Sequence, residues 1–363
     1  MKLTPCHSLM LAAACVVGLS SQASAESLNA AHVPADAKWV MHVDFDAFQQ
    51  TALAGKMREK KADDIEKAEQ KFQEKYGVDL KDGLKGVTAF GSTYEAHTGT
   101  MIVLASYDMQ KVQKEIRSKD KVKSMKIGGH PAFVITKTKG EHHGAEHGDR
   151  AHRDQARDKS SKNNRSADRE RSGPRMGQPE TMVVVLVDGE QVVLSSSQEL
   201  ADRAIALLSG ESKSLEGADS PLTAKVPQGS VFYGAATNLQ SISQRDGFFP
   251  ILQQHQQITY AVGENNGEAF KDVTLQANSE QVAGQVKNTI DGLMAFAKLW
   301  AGNEERLQQV FTHAQVKQEG DTVKAEYRGD ADEVLDAMSA LKERAEQWEQ
   351  KQQKSRERNR DER

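Results

Sequence analysis

Cysteine is nearly missing from this chain: of 363 residues only Cys6 and Cys15 carry a thiol, and both lie within the first 25. A protein that loses that segment can form no disulfide, holds no thiolate metal site and has no cysteine nucleophile. A basic excess is missing too. Lys and Arg number 48 against 52 Asp and Glu, for a net charge of −4. Removal of Lys2 with the leader leaves 47 against 52. A dedicated nucleic-acid binder would show a basic face or stripe, so nucleic acid is not expected as a partner. Beyond the N-terminus no run is long and apolar enough to span a membrane, and no transmembrane anchor is expected in the mature chain. Also absent are a G-x-S-x-G elbow, a Walker loop, a G-x-G-x-x-G turn after a strand and a calcium loop, which removes the common signatures of hydrolase, nucleotide and calcium chemistry.

What the N-terminus does carry is an export signal. Lys2 gives a positive start, Leu9 to Leu19 runs without a charge, and Ala23-Ser24-Ala25 supplies small residues for cleavage before Glu26. The apolar run is about half of the ~20 residues a spanning helix requires. Residues 1–25 therefore read as a cleaved signal peptide, and the mature protein as periplasmic or extracellular. Leu11-Ala12-Ala13-Ala14-Cys15 loosely resembles a lipidation box, but Val16-Val17-Gly18-Leu19 continues the apolar core past the cysteine.

The mature chain reads as two similar halves. Trp39–Asp44 is echoed by Ser230–Ala235, Val87–Gly91 by Ile258–Gly263, and Met101–Ala105 by Val273–Ala277. A helix from Met109 corresponds to one from Glu280, and hairpins at Asp188-Gly189 and Gly320-Asp321 each lead into a helix. The first half has an additional hairpin at Gly128-Gly129. Five capping pairs are expected to open helices: Asp46 with Gln49, Ser196 with Glu199, Thr237 with Gln240, Asn278 with Gln281 and Asp330 with Glu333. The first long helix shows a stripe through Leu53, Met57, Ile65, Phe72 and Tyr76 and stops at Gly77. Thr181–Val187 is apolar throughout and reads as a central strand covered on both sides.

The expected fold class is α+β: two βαββαβ-type, ferredoxin-like units with mostly antiparallel sheets and packed helices. The units span 26–216 and 230–350, joined by a linker at 217–229. Residues 139–180 form an insert too polar to offset its ordering entropy, and a charged tail follows at 351–363; both are expected to be disordered. The lead-in Val33-Pro34-Ala35-Asp36-Ala37-Lys38-Trp39, the signal peptide and the tandem α+β units together resemble uncharacterised secreted bacterial proteins with duplicated ferredoxin-like units. That resemblance implies a fold and a location, not a chemistry.

Two short stretches resemble catalytic motifs. His42-Val43-Asp44-Phe45-Asp46-Ala47-Phe48 resembles the first motif of Y-family DNA polymerases, but the Ser-x-Asp-Glu motif with the remaining metal ligands is absent. The structural alternative has Trp39, Met41, Val43 and Phe45 alternating on one strand face and Asp46 capping a helix. In the insert, His143 to His147 spells H-x-x-E-H, the zinc signature of inverzincin peptidases, with Gly144 inside the motif and Gly148 directly after it. A zinc-dependent hydrolase using His143, Glu146 and His147 is one alternative reading. Loose binding of Zn²⁺, Ni²⁺ or Cu²⁺ by His142, His143, Glu146, His147 and His152 is another, with affinity falling as the imidazoles protonate below about pH 6. No other cofactor is expected. The leading expectation is a non-enzymatic exported binding or structural protein of the periplasm or cell envelope, whose partner is another envelope or secreted protein.

Overall fold

The computed structural model describes residues 28–95, 98–119, 121–136, 181–223, 226–242 and 253–361. Residues 1–25, read above as a signal peptide, and the insert at 139–180, with every residue of the zinc reading, lie outside the described residues.

The fold is α+β, built on one twelve-stranded sheet that is antiparallel at every pairing described. In the first half, β1 (Trp39–Asp44) leads through α1 (Phe45–Gln50) and α2 (Ala52–Tyr76) to β2 (Leu84–Gly91) and β3 (Thr100–Ala105). Then come α3 (Met109–Arg117), β4 (Val122–Ile127), β5 (His130–Thr136), β6 (Thr181–Leu186), β7 (Gln191–Ser195) and α4 (Gln198–Leu208). The second half contributes β8 (Ser230–Thr237), β9 (His255–Asn265), β10 (Glu268–Ala277), α5 (Glu280–Ala301) and α6 (Glu305–Thr312). It ends with β11 (Ala314–Glu319), β12 (Thr322–Asp330) and α7 (Ala331–Asp361). Across the sheet the order is β11-β12-β10-β9-β8-β1-β2-β3-β7-β6-β5-β4.

Two features differ from the ferredoxin-like expectation. The halves share one sheet, joined where β1 pairs with β8 from Trp39↔Ala236 to Val43↔Phe232. Within the first half β2 pairs directly with β1, leaving no place between them for the strand that a split βαβ arrangement requires. The reason lies in α2, whose principal contacts are with α1, α3 and α7. A connection that does not cross a sheet face can re-enter at the end of the sheet it left, as the antiparallel neighbour of β1.

Both faces of the sheet near β6 are covered. Val183, Val184, Val185 and Leu186 are all buried. Val183 and Val185 pack in the main core with Ala201, Ala204 and Ile205 of α4. Val184 and Leu186 face the opposite way, toward Met109, Val112 and Ile116 of α3. At the far end of the sheet, Ala283 and Val286 of α5 pack on Ala277 and Val323. The lead-in and residues 214–222 close the main core through Val33, Leu215 and Leu222, with a bridge from Pro34 to Ser214.

The turns and helix ends follow the local sequence signals in kind, with several caps displaced by one or two positions. Gly77 ends α2 in the left-handed conformation at φ 67°, as the stop signal requires. Gly128, Gly129, Gly189 and Gly320 all turn their hairpins at positive φ. The caps, however, are Asp44 for α1, Ser197 for α4 and Ser279 for α5, not Asp46, Ser196 and Asn278. In each case the side chain that accepts from the third residue on sits one or two positions from the expected one, where the backbone is extended. Thr237 belongs to β8, and the 3-10 turn that follows, Leu239–Ser241, has Asn238 at its cap with no side-chain bond. Asp330 does accept from the Asp332 backbone at the start of α7, 2.7 Å away.

Helices α2 and α3 are linked by Glu115, which receives Lys119 at 2.8 Å and Lys75 at 3.0 Å. Hydrogen bonding to Lys119, and then to Lys75, holds the Glu115 carboxyl below its ordinary range. A depressed folded-state value means that its stabilisation is present at neutral pH and is lost as pH falls through that value. Because the lysines are largely exposed, the Glu115→Gln variant should lose under about 1 kcal/mol at pH 7. The difference from wild type should vanish in acid, as measured by urea melts across pH.

Candidate functional site

The polymerase-like stretch resolves into structure. The fully buried side of β1 carries Val40, His42 and Asp44, while Met41 on the other side is 39% exposed. His42 Nδ1 shares a 2.9 Å hydrogen bond with the Thr88 hydroxyl on β2. Asp44 Oδ1 accepts from the Ala47 backbone N–H at 2.7 Å and so caps α1. Asp46 lies in the first turn of that helix. A buried carboxylate committed to a cap is a structural group, and Asp44→Ala should cost about 1–2 kcal/mol in a denaturant melt. Among the described residues no group of three His, Cys, Asp or Glu could hold a metal ion.

Concave sites are modest. A cleft of about 340 Å³ lies between the lead-in, the outer end of β2 and α4, lined in part by Phe90, Thr100, Leu200, Arg203 and Lys213. Arg203, its most obvious anion-binding group, is already paired with Asp36 at 2.7 Å. The Tyr233 hydroxyl is buried in the main core with no hydrogen-bond partner among the described residues. Desolvation pushes it up to about 12. Tyr233→Phe removes an unpaired polar atom and should be neutral or stabilising by up to about 1 kcal/mol in a thermal melt.

The strongest departure from an ordinary surface is apolar. Eight large hydrophobic side chains are exposed among the described residues, and seven of them lie on α5 and α7. On α5 these are Leu293, Phe296, Leu299 and Trp300, with Phe296 exposed by 67% and Leu299 by 80%. Residues at i, i+3 and i+7 share a helix face, so Leu293, Phe296 and Trp300 make one stripe with Leu299 at its edge. On α7 the exposed residues are Met338, Leu341 and Trp348, the last by 63%.

The two helices meet at Arg344. Arg344 of α7 stacks over the Trp300 ring, 4.1 Å from its centroid. Its Nη1 also donates to the Ala301 carbonyl oxygen at 3.4 Å. Below this contact Ala301, Leu307, Ala337 and Ala340 form a small core joining α5, α6 and α7. Arg306 of α6 clamps the arrangement by bonding Glu304 at 2.7 Å and Glu343 at 3.0 Å. Those bonds raise the Arg306 guanidinium above its ordinary range and hold the Glu343 carboxyl below its own. The three helices thus present a held surface, not loose ends.

Comparison with protein families and with curated proteins finds no match. Among solved structures the chain is similar to crystal forms I, III and IV of TP0453, each at 12% identity with TM-scores of 0.40, 0.41 and 0.39. The alignments cover 87, 86 and 85% of this chain and 98, 99 and 95% of those chains.

None of the residues on the α5 and α7 surface was singled out from sequence. A usable signal exists in α5. Ile290, Met294, Ala297 and Ala301 follow the inward-facing spacing, and Leu293, Phe296, Leu299 and Trp300 fill other faces of the same three turns. A surface helix needs one apolar stripe; a helix apolar nearly all round needs cover on both sides.

Proposed function

We propose that this chain is an exported, non-enzymatic binding protein of the cell envelope and that α5 and α7 carry its binding surface. The observation behind this reading is the gathering of seven of eight exposed large hydrophobics on two adjoining helices. Monomeric proteins rarely leave such side chains contiguous, and a patch rimmed by polar residues marks an interaction site. Covering a single Leu, Phe or Trp removes roughly 1.5–3 kcal/mol of exposed apolar surface, so even a few of these residues can anchor a partner. Export rests on the N-terminal signal, and the tandem organisation on the repeated strand order, β1-β2-β3-β7-β6 in one half and β8-β9-β10-β12-β11 in the other. On this reading β4 and β5 are the hairpin added to the first unit.

The partner surface is a protein, not anionic lipid. A helix that lies on anionic lipid flanks its apolar stripe with Lys and Arg. Here residues 332–349 of α7 contain six acidic residues and two basic ones. A photo-crosslinking residue placed at Leu299 should form protein adducts in the intact envelope, whereas the same residue at the exposed Glu59 of α2 should not. Equal labelling at both positions, or adducts to lipid alone from Leu299, would remove the reading.

A further inference from the structure

We infer that the partner of the α5 and α7 surface is a second copy of this chain, with the two α7 helices side by side and antiparallel. The inference rests on the binding reading above and names its occupant. Three observations carry it. The first is length: α7 has 31 residues, about 46 Å of helix at 1.5 Å per residue. It contacts α2, α6, β10 and β12, yet from Ala345 to Gln352 every residue is exposed. An isolated helix of this kind gains its stability from packing an apolar face, and this chain leaves that face uncovered.

The second is spacing. Met338, Leu341, Ala345 and Trp348 follow one another at intervals of three, four and three, all of them exposed. That is the a and d rhythm by which two helices interlock their side chains. The inward side of the same helix uses Ala337, Ala340 and Arg344 against α6 and α5, and at 3.6 residues per turn the exposed seam lies about a quarter turn round from it, on the flank of the helix. The exposed Leu293, Phe296, Leu299 and Trp300 of α5 add apolar surface that a partner can cover.

The third is charge, which selects the orientation. Residues 332–349 hold six acidic and two basic residues, whereas residues 351–361 hold five basic and two acidic. A parallel pair would set acid against acid and base against base. An antiparallel pair with the two seams in register sets the basic residues from position 351 on of each copy beside Asp330, Asp332, Glu333 and Asp336 of the other, one such charged contact at each end of the apolar seam.

Sedimentation equilibrium of the purified exported protein tests this. A dimer is expected at micromolar concentration in low salt, with a dissociation constant that rises at least tenfold in high salt. Leu341→Glu with Trp348→Glu should give a monomer with unchanged circular dichroism and melting midpoint, because both side chains are exposed. A monomeric wild type, or a double variant that remains dimeric, would overturn the inference. Orientation is read by replacing Lys351, Lys354 and Arg356 with Glu. An antiparallel pair is weakened in that variant, and its mixed dimer with wild type is intermediate between the two homodimers, whereas a mixed dimer tighter than the wild-type homodimer would show a parallel pair and contradict the inference. Should the wild type be monomeric while the Leu299 crosslinker still captures another protein, self-association fails and the binding reading stands. Should the crosslinker capture only lipid, both fail.

Discussion

Val185→Asp should leave the chain unable to fold at room temperature. Val185 is fully buried on β6, between Ala132 of β5 and Val193 of β7. Its side of the sheet is roofed by α4. A carboxylate there meets aliphatic groups and backbone already committed to ladder bonds, so neither an ion pair nor a hydrogen bond compensates for its lost hydration. The cost should exceed about 4 kcal/mol, a large part of the 5–15 kcal/mol by which a folded domain is stable. Circular dichroism and urea titration would show loss of the cooperative transition. The same substitution at Met41, on the open side of β1, should cost under about 1 kcal/mol, since surface changes rarely do more. Persistence of a cooperative transition in Val185→Asp would mean that β6 is not covered on this face.

Gly263→Ala should be the most damaging of the small substitutions. A methyl at this position on β9 would overlap the Gly229 carbonyl oxygen and come within 2.7 Å of Phe270 Cζ. The Gly229 oxygen is held in place because it accepts from the Glu264 N–H at 3.1 Å. With backbone on one side and a buried ring on the other, β8 and β9 must separate to admit the methyl. Overpacking of this kind costs about 1–3 kcal/mol where side chains yield, and more where backbone blocks the way. On the tandem reading proposed above Gly91 on β2 is its counterpart, and the nearest atoms that a methyl there would meet belong to the Trp39 ring, at 2.6 Å. Gly91→Ala should therefore cost less than Gly263→Ala, because a partly exposed indole can shift. Thermal melts of the two variants side by side check both the order and the proposed correspondence of the halves.

These comparisons show which parts of the structure sequence alone made legible. Val183 to Leu186 betrayed a doubly covered strand because four successive apolar residues satisfy both faces of a sheet at once. Gly77, Gly128, Gly129, Gly189 and Gly320 betrayed turns because their backbone angles exclude most other residues. Strand order was less legible. The path from β1 to β2 depends on whether α2 crosses a sheet face, and its sparse stripe through Ile65 and Phe72 fits both answers. The merger of two halves into one sheet was hidden for a similar reason. The β1 to β8 ladder is made by backbone groups, which carry no sequence identity. Capping residues were misplaced by one because Ser196 and Ser197, or Asn278 and Ser279, are chemically alike and differ only in local dihedral angles. The candidate surface was hidden by an ambiguity of another kind. Periodicity marks Leu293, Phe296 and Trp348 as apolar helix positions without saying whether the chain itself covers them, and only the packed structure shows that it does not.

The account centres on that surface, and hydroxyl-radical footprinting in place tests it most directly. Side-chain oxidation of Phe296, Leu299 and Trp348 would be measured for the protein in the intact envelope and for the purified Leu341→Glu, Trp348→Glu variant, with Trp348 read in wild type alone. The account predicts that Phe296 and Leu299 are several-fold less oxidised in place than in the variant, while Met41 on the open side of the sheet reacts equally in both. Equal oxidation of Phe296 and Leu299 in the two settings would mean that nothing covers α5 and α7, contradicting their assignment as the binding surface.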